Sequence, residues 1–241
     1  MKFISLSQIM QMAIAQAIRS KFEISLNPQE ISINVCYPQY DAHYTSTIAL
    51  AIANRLGLDA YQIAEAIAQT CSQNPEICLR WQVKAFGKGW LNILLSEKYI
   101  TESLLALDLW QPHPQPIDKV RTQSPETTAQ YAYARCCALI RLAHAYPDLL
   151  GCNSKISGEL APVEISLLLQ QMAIAEHLCS TPIISNKLSR SLAAAFLQFY
   201  DRCRIFGVSP DLVYQRLLLI KITQKLLLAI APPDANYLTY L

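Results

Sequence analysis

A glycine turn that contains a lysine is followed by a tryptophan and an asparagine, at a spacing that suits recognition of an unpaired base. Trp90 and Asn92 follow Gly87-Lys88-Gly89 at i and i+2 of an apolar run, so on a β-strand they would point to one face. Such a pair could stack on an unpaired base and hydrogen-bond its edge. We therefore take Lys88, Trp90 and Asn92 as candidate RNA-binding residues. The alternative is a core tryptophan with an asparagine that serves the turn.

Catalytic and metal-binding patterns are not found in the sequence. Serine, histidine and aspartate are scattered without the context of a nucleophile elbow, and no glycine-rich phosphate loop is present. The eight cysteines include no Cys-x-x-Cys, and the four histidines do not lie at zinc-finger spacing from them. We expect reduced thiols that act as small buried hydrophobes, with no metal, no cofactor and no small-molecule substrate.

Composition indicates a well-packed globular chain of low net charge. Of the 241 residues 52% are hydrophobic and 16% are charged, and the net charge is +2. Strong nonspecific nucleic-acid binders cluster many lysines and arginines, so this chain could contact nucleic acid only through a local patch.

Membrane insertion is not expected. The most apolar stretch, residues 217–232, is interrupted by Lys221, Gln224 and Lys225, and residues 1–22 carry glutamines where a signal peptide needs an unbroken apolar region. The sequence therefore predicts a cytoplasmic protein.

The first part of the chain alternates helical and strand patterns. Apolar periodicity, caps and turn residues predict helices at 4–22, 45–56, 60–73 and 99–109, and strands at 31–35, 77–85 and 90–95. This order favours a small α+β domain, residues 1–109, with a largely antiparallel sheet.

The second part is predicted to be entirely helical. Four prolines mark residues 110–125 as an extended linker, and helices follow at 126–146, 163–180, 186–206 and 210–230. Residues 126–241 should form a helical bundle, which makes the chain mostly α overall.

The helical part resembles the anticodon-binding domain of arginyl-tRNA synthetases, the DALR type. Residues 129–135, Ala-Gln-Tyr-Ala-Tyr-Ala-Arg, and residues 139–141 are similar to its opening helix, with Tyr133 where the family usually has histidine. Residues 195–205 and 216–219 are similar to later segments. The resemblance implies an anticodon-loop surface formed or bordered by Tyr131, Arg135, Phe199, Tyr200, Arg204 and Arg216.

Two arginines, Arg135 and Arg204, are the leading candidates for contacts at this implied surface, because a guanidinium can fork two hydrogen bonds and stack. The alternative is structural: Phe199 would then be a core residue, and the arginines would pair with Asp201 or Glu164.

The α+β part resembles the extra N-terminal domain of the same synthetases. The similarity covers the helix at 45–56, Ile63-Ala64 and the turn at 87–92, and it implies contact with the outer corner of tRNA, around the D-loop. His43 lies near the family's His-Gly-Asp-Tyr-like turn, but the glycine is absent and the histidine is shifted. We therefore expect a surface or helix-entry role for it.

A catalytic domain is missing between the two resemblances. In the synthetases several hundred residues with His-Ile-Gly-His-type and Lys-Met-Ser-Lys-type signatures lie there, whereas here the sixteen residues 110–125 take their place and neither signature occurs. The resemblance thus implies a noncatalytic tRNA-binding protein, with arginine-accepting tRNA favoured, that acts as a chaperone, a carrier or a targeting subunit. A protein partner such as a tRNA-modifying enzyme or another complex subunit fits this role. The alternative is a protein-interaction module that kept the fold and lost the RNA.

Overall fold

The structure is a computed structural model that describes residues 5–36, 42–112, 127–145, 156, 159–180, 186–231, 237 and 239. The chain forms two compact units, which divide between Glu102 and Ser103. Most of the predicted linker, residues 113–125, lies outside the described residues, so the predicted domain limits stay predictions.

The first unit combines helices with a small antiparallel sheet, as predicted. Its strands are β1 (Asn34–Val35), β2 (Tyr44–Ser46), β3 (Trp81–Phe86) and β4 (Trp90–Leu95), in the order β1-β2-β4-β3. Its helices are α1 (Leu6–Phe22), α2 (Ile48–Leu56), α3 (Ala60–Ser72), α4 (Pro75–Cys78) and the start of α5 (Glu97–Leu109), with a 3₁₀ turn at Pro28–Glu30. All three strand pairs are antiparallel.

The side chains of strand β4 alternate between the two faces of this sheet. Leu91, Ile93 and Leu95 are buried and Trp90 and Leu94 are exposed, because neighbouring side chains of a strand point to opposite faces. Helix α3 covers the buried face and packs against β3 and β4. The outer face of the hairpin is therefore the face that α3 does not cover.

Two predicted helix signals are confirmed by geometry. Gly57 ends α2 in the left-handed region, with φ +63°, as expected for a glycine after the last helical residue. The Asp59 carboxylate accepts hydrogen bonds from the N–H groups of Tyr61 and Gln62, at 3.0 and 3.1 Å, and so caps α3.

Three predicted element limits in this unit are wrong. The strand predicted from residue 77 begins at Trp81, because Asn74 accepts hydrogen bonds from the N–H groups of Glu76 and Ile77 and starts the short helix α4. The strand predicted at 31–35 is reduced to Asn34–Val35. The segment at 44–46 forms β2 instead of loop and helix, because it pairs with both β1 and β4. Pairing with distant strands overrides local signals here.

The second unit is a helical bundle, as predicted. Its helices are α6 (Thr127–Ala145), α7 (Pro162–Ser180), α8 (Asn186–Arg202) and α9 (Pro210–Ala229). Helix α6 packs on α8 and α9, and α7 packs on α8 and α9. Helix α8 ends at Arg202 and not at the predicted residue 206, and the connection to α9 includes Gly207, whose φ is +74°.

A half-buried lysine stabilises the C-terminal end of α5 within this unit. The Lys225 ammonium donates hydrogen bonds of 2.8 Å to the carbonyl groups of Leu107, Asp108 and Trp110. These carbonyls lie at the helix end, where a cation is favourable. Burial lowers the pKa of Lys225, while the nearby Asp108 carboxylate raises it.

We expect Gly89→Ala to destabilise the first unit strongly. Gly89 has φ +118°, and a methyl group there would lie 2.7–2.8 Å from Ala60, including its backbone atoms. Gly87, at φ +56°, has open space around the same position, so Gly87→Ala is the matched control. The loss in free energy of unfolding should be about 3 kcal/mol for Gly89→Ala and about 1 kcal/mol for Gly87→Ala. Urea unfolding followed by tryptophan fluorescence measures both, and equal losses would contradict the packing argument.

Candidate nucleic-acid interface

The outer face of the β3–β4 hairpin brings together two of the predicted residues. Trp90 is 41% exposed and Asn92 is half-buried, both on the face opposite Leu91. The strand register places Phe86, 55% exposed, directly opposite Trp90. Trp90 is thus a surface residue beside a second exposed aromatic ring, and not the core tryptophan of the alternative interpretation.

A cavity of about 440 Å³ lies at this face. Its lining consists of Val35, Cys36, Thr45, Phe86, Gly87, Lys88, Trp90 and Asn92, so all three predicted residues of the first unit contribute. We call this cavity and its lining the sheet surface. Its volume falls within the range of small-ligand sites, and its walls are mostly apolar with a few polar groups.

Polar groups at the sheet surface are placed by the strand pairing. The Thr45 hydroxyl donates to Oδ1 of Asn92 at 3.5 Å, across the β2–β4 pair. The Asn92 amide nitrogen, a double donor, has no hydrogen bond to another described residue. Lys88 is exposed at the tip of the hairpin. The surface therefore combines two ring faces, an amide donor and a cation.

Sequence reasoning missed four side chains of the sheet surface: Phe86, Thr45, Val35 and Cys36. Phe86 could have been found by counting back across the glycine turn, since the three-residue turn Gly87-Lys88-Gly89 pairs it with Trp90 in the register. Thr45 and Cys36 reach the site only because β1 and β2 pair next to β4, for which the sequence has no local signal.

His43 has a structural role within the sheet. Its Nδ1 accepts a hydrogen bond from the Leu95 N–H at 2.9 Å, and its backbone N–H donates to the Ile93 carbonyl. The ring must be neutral to accept this bond, and burial lowers the pKa of His43. His43 thus links β4 to the segment that precedes β2 through two hydrogen bonds.

Three of the predicted residues of the second unit lie in one cluster, which we call the helical surface: Tyr131, Arg135 and Tyr200. Arg135 Nε donates to the Tyr131 hydroxyl at 3.1 Å, and its guanidinium carbon lies 5.3 Å from the Tyr131 ring centroid and 5.9 Å from that of Tyr200. These distances are within the range of cation–π contacts. The hydrogen bond to Tyr131 raises the pKa of Arg135.

Buried aromatic residues support the helical surface from below. The Tyr200 ring stacks on Phe196, with centroids 6.1 Å apart and an interplanar angle of 18°. Phe196 and Phe199 are fully buried, so Phe199 is a core residue, as the alternative interpretation held. Tyr200 is therefore held in place by the bundle core while part of its ring reaches solvent.

Arg204 is exposed beside the turn that follows α8. Its Nε donates to the Phe206 carbonyl at 3.1 Å, and its guanidinium lies against Gly207, where a methyl group would come within 2.9 Å of Arg204 Nη2. The turn thus holds the Arg204 side chain along its surface.

Arg216 is engaged in contacts within the protein. Its Nε donates to Glu164 Oε1 at 2.7 Å, and its Nη1 donates to the Arg204 carbonyl. The other Glu164 oxygen, Oε2, accepts a hydrogen bond of 2.7 Å from the N–H of Ala161, which directly precedes α7. A side chain that accepts from the N–H three residues earlier forms half of a capping box. The side chains are only 12% and 1% exposed. This arrangement matches the alternative in which an arginine pairs with Glu164, and an RNA contact by Arg216 stays a prediction.

The described residues hold no group of three or more histidine, cysteine or acidic side chains that could bind a metal ion. All seven described cysteines are free, and Cys152 lies outside the described residues. No helix in the described ranges has the length and apolar character needed to cross a membrane.

Comparison with known proteins identifies both parts of the chain. Residues 8–95 match the family model of the arginyl tRNA synthetase N terminal domain, and residues 129–231 match that of the DALR anticodon binding domain. The chain is an arginyl-tRNA synthetase-like protein. The sheet surface therefore lies mostly within the first matched domain, and the helical surface within the second.

Curated relatives agree with this assignment. The chain is 30% identical over 127 residues to an arginine–tRNA ligase of Dehalococcoides mccartyi, which is 50% of the chain and 21% of the ligase. It is 29% identical over 115 residues to an arginine–tRNA ligase of Acetivibrio thermocellus, which is 44% of the chain and 20% of that ligase. The chain thus spans about a fifth of the length of these relatives.

Removal of the His43 imidazole should change how the first unit responds to pH. Its native pKa lies below the ordinary 6.5, so its stabilising effect is complete above pH 6.5 and is lost as pH falls through the native pKa. His43→Gln should remove this loss, because a glutamine carbonyl can accept from the Leu95 N–H without titrating. The Leu95 amide resonance, followed from about pH 7.5 to 5, reports the bond. His144→Gln, at an exposed position, should change nothing. A Leu95 amide that titrates at 6.5 or above would contradict this account.

Glu164→Ala should destabilise the second unit by about 3 kcal/mol, because it leaves the partly buried Arg216 guanidinium and the Ala161 N–H without their acceptor. The control is Glu102→Ala, which removes an exposed partner of Lys98 at 4.0 Å and should cost below about 0.5 kcal/mol. Urea unfolding monitored by circular dichroism compares the two. Similar losses would show that the buried pair contributes no more than a surface pair.

Proposed function

We propose that this protein binds tRNA without aminoacylating it, with arginine-accepting tRNA favoured, and acts as a chaperone, a carrier or a targeting subunit. The observation that carries the proposal is the pairing of exposed or half-buried aromatic rings with a cation in both units. The sheet surface has Trp90, Phe86 and Lys88, and the helical surface has Tyr131, Tyr200 and Arg135. The names of the two matched domains support the same function.

The sheet surface suits an unpaired base. A base could stack on the exposed Trp90 ring while the Asn92 amide donates to its edge, and each stacked base contributes about 1–3 kcal/mol. Lys88, at the hairpin tip, would meet the phosphate of the same nucleotide. Because Trp90 and Asn92 lie on a strand that is bonded on both sides, the groups are held before RNA arrives.

The helical surface suits an unpaired loop as well. Arg135 lies close to two tyrosine rings and donates only through Nε to Tyr131, so its remaining N–H groups can fork to a phosphate or a base edge. Tyr131 is 36% exposed and can stack on a neighbouring base. Arg204 adds a second exposed guanidinium in the same unit.

Low net charge limits the mode of binding. With a net charge of +2, the chain cannot neutralise many phosphates at once, so affinity should come from stacking and directional hydrogen bonds. We therefore expect a shallow dependence of tRNA affinity on salt concentration. This supports recognition of exposed loops over binding along a duplex.

A noncatalytic role is supported by the spacing of the two matched domains. Residues 96–128 separate them, and α5 already uses part of that segment. A nucleotide-binding catalytic domain needs at least about 100 residues, so it does not fit between the two. The relatives are ligases by name, but the shared segments are the N-terminal and anticodon-binding types.

Trp90→Ala and Arg135→Ala should each weaken binding of an arginine-accepting tRNA transcript about tenfold, as one stacked base or one charged contact would. Leu79→Ala, a 69% exposed apolar side chain outside both surfaces, is the control for Trp90, and Lys98→Ala is the control for Arg135. Fluorescence anisotropy at moderate salt measures the affinities, with an unrelated RNA duplex as competitor.

Two outcomes would contradict the proposed function. One is equal affinity for the tRNA and the unrelated duplex. The other is unchanged tRNA affinity in both alanine variants while circular dichroism shows an intact fold. Either result would favour a protein-interaction module that no longer binds RNA.

A further inference from the structure

Strand β3 forms one edge of the sheet and pairs with β4 on its inner side only, within the described part of the chain. The Arg80 carbonyl accepts from the Ser96 N–H at 2.8 Å, just before the Trp81–Leu95 pair. In an antiparallel ladder, residues alternate between pairs that exchange hydrogen bonds and pairs that do not. Arg80, Gln82 and Lys84 therefore bond to β4, and the N–H and C=O groups of Val83 and Ala85 point to the open edge.

A groove of about 570 Å³ runs along this open edge. Val83, Lys84 and Ala85 form one wall, and helix α3 with its C-cap forms the other. The residues of the helical wall that lie four apart are Tyr61, Glu65, Gln69 and Gln73. This spacing makes a single stripe of about 18 Å along the helix axis, which matches the length of about 20 Å of a six-residue strand.

We propose that this groove binds an extended peptide segment of a partner protein, which adds to the sheet as a strand next to β3. The Val83 and Ala85 backbones offer donors and acceptors with the two-residue period of a strand, and an extended peptide offers the complementary set. Glu65, Gln69 and Gln73 of this stripe can hydrogen-bond the polar side chains of such a peptide. The length of the groove accommodates about five residues.

The charges of the groove favour a peptide over RNA. Glu65 is the acidic side chain of its helical wall, whereas the Lys84 side chain points to the outer face of the hairpin, opposite Asn92, so the side chains that line the groove offer a phosphate backbone no cation. A phosphate backbone has acceptors but no N–H donors, and it would face the outward carbonyls of β3 and the Glu65 carboxylate. A peptide without acidic side chains along its centre is therefore the best match.

This groove is separate from the proposed RNA contacts. The sheet surface uses side chains on the outer face of the hairpin, whereas the groove uses backbone groups at the edge of β3 and side chains of α3. Peptide and RNA binding can thus be tested apart, and failure of one does not imply failure of the other.

The test is a selection of random heptapeptides displayed on phage against the immobilised full chain, followed by affinity measurement with the synthesised peptides. Enriched peptides should alternate β-branched or aromatic residues with polar ones. Ala85→Pro removes one outward N–H and is compatible with an edge strand, so it should weaken peptide binding at least about tenfold. It should leave tRNA affinity unchanged.

A second variant keeps the test decisive if Ala85→Pro unfolds the first unit. Gln69→Trp places a large side chain in the groove from an exposed helix position and should also weaken peptide binding at least about tenfold. Gln69→Ala, which leaves the groove open, is its matched control and should retain binding within about threefold.

Three results would overturn the proposal. The first is no enrichment over an uncoated surface. The second is enriched peptides that bind the wild type, Ala85→Pro and Gln69→Trp equally. The third is a dimer in sedimentation equilibrium that Ala85→Pro abolishes, which would make a second copy of the chain the occupant.

Discussion

The sheet of the first unit depends on strand β4, which is bonded on both sides and has a side-chain period of two. Burial of Leu91, Ile93 and Leu95 fixes the register of this strand, since a shift by one residue would move every apolar side chain to the other face. The same constraint forces Trp90 and Asn92 outward. The core of the unit and its candidate RNA-binding face are therefore two consequences of one register.

The second unit reaches a comparable arrangement with helices. Phe196 is fully buried and carries the Tyr200 ring, and Tyr200 in turn borders the Arg135 guanidinium. The Glu164–Arg216 ion pair ties the start of α7 to α9 and, through the Arg204 carbonyl, to the turn after α8. In both units aromatic side chains at the surface are held by residues beneath them, so little conformational entropy would be lost on binding.

Local signals in the sequence predict the elements that depend on local chemistry, and they miss those that depend on distant pairing. The Asp59 cap and the same-face placement of Trp90 and Asn92 follow from residue type and spacing. Strand β2 and the contribution of Thr45 exist only because segments far apart in sequence pair with β4. The ion pair of Arg216 with Glu164 depends on which side chain lies opposite, and periodicity cannot provide that information.

We propose that both units contact tRNA through their aromatic surfaces. Ultraviolet crosslinking in cells tests this proposal most directly. The bound RNA is sequenced, and the crosslinked peptides are identified by mass spectrometry. We predict that tRNA dominates the bound RNA, with arginine-accepting species enriched. We also predict nucleotide adducts on peptides that contain Trp90 and on those that contain Tyr131 or Tyr200. Bound RNA without enrichment of tRNA, or adducts confined to peptides outside both surfaces, would contradict the proposal.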